Sequence, residues 1–135
     1  MFFESDYKIL SNEKIAKDVY KMRLEGDTSH ITAPGQFVNI KLDGKFLRRP
    51  ISVCDCEENV ITIIYKVVGE GTEQMSNLKI GKMLNVLTGL GNGYDVSRSG
   101  EHPLLVGGGV GIPPLYSLAK RLTAQGKRVT AVLGF

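Results

Sequence analysis

Arg49-Pro50-Ile51-Ser52 places a guanidinium and a hydroxyl three residues apart in a segment that otherwise reads as strand. A guanidinium pairs two phosphate oxygens at once, which the point charge of an ammonium does not do with the same geometry. A hydroxyl can exchange one hydrogen bond with the edge of a redox ring and so move its reduction potential; Pro50 stiffens the backbone between the two side chains. Downstream, Gly71-Thr72 offers backbone amides and a hydroxyl at a helix start, where the helix dipole favours an anion. A flavin dinucleotide, with two phosphates and a redox-active ring, asks for all these elements together. Ser52 is then the candidate catalytic group, at the ring edge where hydride arrives.

Two further segments bear on the same chemistry. Ile64-Tyr65-Lys66 lies on the strand leading into the Gly71-Thr72 loop, where alternate side chains can line the ring or its ribityl chain; Tyr65 serves equally as core and Lys66 as a solvated charge. Gly107, Gly108, Gly109 and Gly111 open a helix that begins near Pro113, so the backbone there can approach a pyrophosphate, as dinucleotide-binding turns do. The spacing departs from G-x-G-x-x-G, with Ile112 in the place of the last glycine. No acidic residue follows at the end of the next strand to read ribose hydroxyls.

These residues need elements to hold them. Strand-like runs fill the first hundred or so positions: Tyr7 to Leu10, Asp18 to Leu24, Gln36 to Leu42, Ile51 to Cys54, Val60 to Val67 and Met83 to Leu87. Tyr20, Met22 and Leu24 alternate with Lys21 and Arg23, and Val38, Ile40 and Leu42 with Asn39 and Lys41, giving each strand one apolar face. The spacing of the runs suggests an antiparallel barrel or sandwich, and a closed barrel would bury those faces. Thr72 is placed to cap a short helix from Glu73 to Leu78, with Gly81 ending the excursion. From Leu104 the pattern changes to a short buried strand, a glycine turn, a helix with Leu115, Leu118, Ala119 and Leu122 at helical spacing, a stop at Gly126, and a strand from Arg128 to Leu133.

The expected fold is therefore an antiparallel FAD-binding β-barrel over residues 1–98, followed over residues 99–135 by the first strand-helix-strand unit of a Rossmann-like NAD-binding α/β domain. One such unit does not bury both faces of its strands, so the domain is expected to be truncated.

Composition narrows the classes. A formal net charge of +3, with scattered Lys and Arg, argues against nucleic acid as a partner. No secretory start and no membrane-length apolar run is present, so the expected location is cytoplasmic with no membrane association. Cys54 and Cys56 are the only cysteines; in a regular strand they share a face, a geometry unsuited to a disulfide, and two thiolates are too few for a metal or iron-sulfur site.

Leu47 to Ser52, Ile64 to Thr72, Gly89 to Gly93 and Val106 to Pro114 together resemble the ferredoxin reductase-like flavoproteins, whose barrel carries an Arg-x-Tyr/Phe-Ser/Thr signature. Within them, the electron transfer subunits of NAD-dependent dihydroorotate dehydrogenases are most similar. Ile51 replaces the aromatic residue of the signature. The resemblance implies FAD held by Arg49 to Ser52, Ile64 to Lys66 and Gly71-Thr72, with NADH meeting it near Gly107 to Gly111. It further implies a 2Fe-2S cluster on cysteines of a carboxy-terminal segment that this sequence lacks. The partner it implies is an FMN-containing dihydroorotate dehydrogenase catalytic subunit, in a heterotetramer. Electrons would pass from dihydroorotate, oxidised to orotate, through the partner flavin and the cluster to NAD. Another flavin reductase subunit of the superfamily and a non-catalytic interaction domain are the competing readings, and the chain alone is expected to fall short of full turnover.

Overall fold

The computed structural model describes residues 2–135. Six antiparallel strands close into a barrel: β1 (Phe3–Ala16), β2 (Val19–Glu25), β3 (Phe37–Ile40), β4 (Arg49–Glu57), β5 (Val60–Lys66) and β6 (Met83–Leu90), in the order β1-β2-β5-β4-β3-β6. Helix α1 (Glu70–Ser76) lies between β5 and β6 in sequence. Its Met75 is fully buried with the barrel core, so α1 stops one end of the barrel as a plug. A parallel pair, β7 (Leu104–Gly108) and β8 (Thr130–Gly134), is joined by a 3-10 turn at Gly109–Gly111 and helix α2 (Pro113–Ala124).

The alternation in the sequence becomes the barrel interior. Met22, Leu24, Val38, Ile40, Ile61, Ile63 and Val86 are fully buried in one cluster. Burying a side chain of this size contributes about 1.5–3 kcal/mol each. Leu105 packs with Leu115, Leu118 and Leu122 in a separate, smaller core beneath α2.

Several elements differ from the sequence expectations. β1 runs from Phe3 to Ala16 rather than Tyr7 to Leu10, because it serves two neighbours: Phe3 to Lys8 pair with β6, and Lys8 to Ala16 with β2. Its polar residues are held by pairing, which composition does not reveal. α1 begins at Glu70, not Glu73, so Thr72 is not its N-cap but lies within its first turn. The Leu104 strand is not buried: Leu104 and Val106 face outward at 61% and 68% exposure, and only Leu105 is covered. The β8 strand is exposed throughout.

Cys54 and Cys56 do not share a face either. The β4–β5 register steps from Val53↔Ile63 to Asp55↔Thr62, so Cys54 is the extra residue of a β-bulge. Cys56 consequently packs toward the barrel core, while Cys54 borders an outer groove with Asp55 and Thr62. Both thiols are free, and burial raises both above their ordinary range. Among the described residues no helix is long and apolar enough to cross a membrane.

Candidate functional site

The ladder between β4 and β5 stops at Val53↔Ile63. Beyond that rung, residues 49–52 keep their pairing with β3, and residues 64–66 keep theirs with β2, but the two segments no longer pair with each other. The strands part, and a cleft of about 370 Å³ opens between them.

That gap explains how Arg49 and Ser52 reach one space although they are three residues apart and so point to opposite faces of β4. Both line the cleft, with Pro50 and Ile51 between them. Ile64, Tyr65 and Lys66 form the opposing wall. Thr72 from α1, Val68 from the preceding loop and Val110 from the glycine turn close the ends.

Arg49 has no carboxylate partner among the described residues. Its Nη1 donates to the Leu47 carbonyl at 2.5 Å. Its side chain lies across Gly71: a Cβ built there would stand 2.1 Å from Nε and 2.7 Å from Cζ. Gly71 is therefore a seat for the guanidinium, which would have to shift if a side chain stood there. The Ser52 hydroxyl is likewise without a protein hydrogen-bond partner among the described residues, and it looks into the same space.

Thr72 behaves differently from the sequence expectation. Its Oγ1 accepts from the amides of Val68 at 2.8 Å and Gly69 at 3.2 Å, and it also donates to the Gly69 carbonyl at 3.2 Å. The hydroxyl is committed to shaping the loop rather than offered to an anion. Two acidic residues, Glu70 and Glu73, occupy the first turn of α1 and oppose the helix dipole there. Positive charge in the cleft comes from Arg49 and the exposed Lys66 instead.

Tyr65 is both core and wall. It is 2% exposed, and its hydroxyl donates to Asn12 Oδ1 at 2.7 Å while its ring stacks on Tyr20 at 5.8 Å between centroids. Burial pushes the phenol above its ordinary range, with the Asn12 bond pulling the other way. It stays neutral at physiological pH.

The glycine turn divides its labour. A Cβ on Gly107 would stand 2.6 Å from Leu115 Cδ1 and 3.2 Å from the Gly111 carbonyl, so this glycine permits the turn to fold back onto α2. Gly109 adopts φ +53°, which favours glycine. Gly109 and Val110 border a second, apolar hollow of about 430 Å³, lined also by Ile15, Val19 and Pro113. The hollow shares Ile64, Tyr65, Lys66 and Val110 with the cleft. Gly107, Gly108 and Gly111 line neither space.

The sequence reading missed Val68, Val110 and Asn12. Nothing in local composition marks the first two, whereas an asparagine amid a strand pattern is a detectable oddity, since such residues are depleted from strands.

No family model matches the chain. Two curated proteins named dihydroorotate dehydrogenase B (NAD(+)), electron transfer subunit, are similar to it. That of Fusobacterium nucleatum is 49% identical over 138 residues, covering 96% of this chain and 53% of its own length. That of Bacillus mycoides is 44% identical over 135 residues, covering 94% and 52%. The chain thus spans about half the length of these relatives. Among solved structures, an NADH-dependent reduced ferredoxin-NADP oxidoreductase superposes with TM-score 0.86 at 39% identity, over 95% of this chain and 48% of the other. Phthalate dioxygenase reductase, a modular protein for electron transfer from pyridine nucleotides to [2Fe-2S], superposes with TM-score 0.75 at 27% identity, over 96% and 42%. In fold the chain matches the ferredoxin reductase-like FAD-binding barrel, and in sequence it is similar to curated electron transfer subunits of dihydroorotate dehydrogenase B.

Proposed function

We propose that this chain is the FAD-binding part of an electron transfer subunit that carries electrons from dihydroorotate oxidation to NAD. The observation that carries the reading is the parting of β4 from β5, which gathers Arg49, Ser52, Ile64 to Lys66 and Val110 around one cleft. The cleft fits a flavin dinucleotide chemically, with an unpaired guanidinium at one place, an unpartnered hydroxyl at another, and apolar wall between.

Arg49 pairs the pyrophosphate oxygens, held flat over Gly71 so that its fork keeps one orientation. Ser52 offers its hydroxyl to the ring edge and is the candidate catalytic residue. Ile51, Ile64 and Tyr65 exclude water from one face, and Pro50 fixes the backbone between cation and hydroxyl. Lys66 adds a second positive charge. FAD bound there supplies the exchange between two-electron chemistry at a nicotinamide and one-electron steps at an iron-sulfur centre. Gly71 and Thr72 shape the site without bonding the cofactor through a side chain.

Residues 1–98 form the FAD-binding barrel domain in this reading, and residues 99–135 open the NAD-binding domain, with NADH approaching along the Gly107, Gly108, Gly109 and Gly111 turn. Val110 stands where the two ligands would meet. Among the described residues no group of three or more His, Cys, Asp or Glu could hold a metal. In this reading the 2Fe-2S cluster is assigned to cysteines of a carboxy-terminal segment, as the resemblance implies, and not to Cys54 or Cys56. The partner is an FMN-containing dihydroorotate dehydrogenase catalytic subunit, assembled as a heterotetramer in the cytoplasm.

Titration of the purified chain with FAD, followed by flavin absorbance and fluorescence, tests the site. Wild type should bind and turn yellow. Arg49→Ala should lose about 1.5–3 kcal/mol of binding, the worth of a charged hydrogen bond. A wild-type chain that takes up no FAD, or an alanine variant that binds equally well, would overturn the assignment.

A further inference from the structure

Asn12 touches neither the cleft nor the glycine turn, yet it bonds to both the wall and the plug. Its Nδ2 donates to the carbonyls of Met75 at 2.9 Å and Leu78 at 3.1 Å, at the end of α1. Its Oδ1 accepts from the Tyr65 hydroxyl at 2.7 Å. Three hydrogen bonds leave little of this amide's capacity unused.

The sequence places Asn12 there by a local irregularity. The β1–β2 register steps from Ile9↔Leu24 to Ser11↔Arg23, so Leu10 is the extra residue of a bulge. Before it, Tyr7 and Ile9 face the core from odd positions; after it, Asn12 stands opposite Met22, which is fully buried. Directly opposed residues of an antiparallel pair share a face. The bulge thus turns a polar residue toward the barrel end that α1 stops. A helix end facing a barrel interior leaves carbonyls without partners unless a side chain supplies donors, and a buried phenol needs an acceptor. Asn12 answers both needs with one planar group.

We propose that Asn12 is a positioning residue for the flavin cleft, coupling the Tyr65 wall to α1 and so fixing the Gly71 seat on which Arg49 lies. Through α1 it acts on the cation, and through Tyr65 on the apolar wall. The inference rests on the flavin reading above for its consequence in binding. Its structural half stands alone.

The test compares Asn12→Ala, Tyr65→Phe and the double variant of the full chain. Amide hydrogen exchange without added ligand is read at Glu73, Asn77 and Leu78, whose hydrogen bonds close the two ends of α1, and FAD titration follows. Asn12→Ala should speed exchange at those amides about tenfold, leaving the β2–β5 ladder protected. Tyr65→Phe, which removes a hydroxyl bonded to Asn12 and to no α1 group, should speed the same amides by a smaller factor. The double variant should be no worse than Asn12→Ala, because both changes break one network. FAD affinity should fall about tenfold in Asn12→Ala. Unaltered α1 exchange in Tyr65→Phe, additive effects, or a loosened α1 with full FAD affinity would each overturn the proposal. If Asn12→Ala does not fold, Asn12→Asp keeps the acceptor for Tyr65 and loses the donors to α1, and decides the same question. Wild type that binds no FAD refutes the flavin reading alone; the exchange pattern then still supports or overturns the coupling.

Discussion

The barrel and the β7-α2-β8 unit obey the same rules of burial and reach opposite outcomes. In the barrel every strand has two neighbours, closure leaves no edge strand, and Ile61 and Ile63 have no exposed surface. In the second unit one helix covers one face of a two-stranded sheet, and Val132 and Leu133 remain 55% and 45% exposed. An antiparallel sheet can finish its own core by curling on itself, whereas a parallel pair needs cover on both faces. The comparison teaches where this chain holds its stability and where it presents unsatisfied surface.

The widest test of that contrast pairs Ile63→Ala with Leu133→Ala in urea denaturation. Ile63→Ala should cost about 2–5 kcal/mol, as truncations in packed cores do. Leu133→Ala should stay within about 0.5 kcal/mol. Equal losses would mean that β8 is packed as firmly as the barrel.

Alkaline titration sharpens the picture of the barrel interior. The Tyr7 phenol, fully buried and donating to the Asp27 carbonyl, is pushed from 10.0 up to about 12, first by burial and then by the Asp27 charge. The neutral form is favoured in the fold, so its contribution is whole below pH 10 and lost as pH rises toward 12. That loss is on the order of 2–3 kcal/mol. Stability against pH for wild type minus Tyr7→Phe should fall across that window, and a flat difference would show the phenol ionising as if unfolded.

The smallest effect belongs to the junction between the regions. Lys120 of α2 sits 3.0 and 3.1 Å from the two carboxylate oxygens of Asp55, the residue that the Cys54 bulge turns outward. It also lies 5.3 Å from the Tyr116 ring. Lys120 is half exposed, so Lys120→Met should cost only about 0.2–1 kcal/mol. Denaturation at rising salt should erase the difference. A larger, salt-independent loss would mean that the two regions are joined by something other than charge.

Much of the barrel was legible in the residues. Alternation at Met22 and Leu24, and at Val38, Ile40 and Leu42, named inward faces that are fully or almost fully buried. The helix from Pro113 and its stop near Gly126, which has φ +82°, followed from the missing amide of proline and the freedom of glycine. Parity across bulges is what alternation does not carry. By alternation alone Cys54 and Cys56 share a face, and the strand-like run Tyr7 to Leu10 stops short of Asn12; an inserted residue in each strand inverts the pattern. A hydroxyl before an apolar run usually caps a helix, but the loop bonds of Thr72 begin this one earlier, at Glu70. The cleft residues were readable as types, but the space that collects them comes from two strands parting, which only the pairing reveals.

That parting has a mechanical meaning. Two segments that share no rungs with each other are joined only through their outer neighbours, so a molecule lodged between them doubles as a brace. Loss of the occupant would weaken the wall along that unlaced seam. Supply of the prosthetic group would then govern how long the polypeptide survives as well as how fast it works.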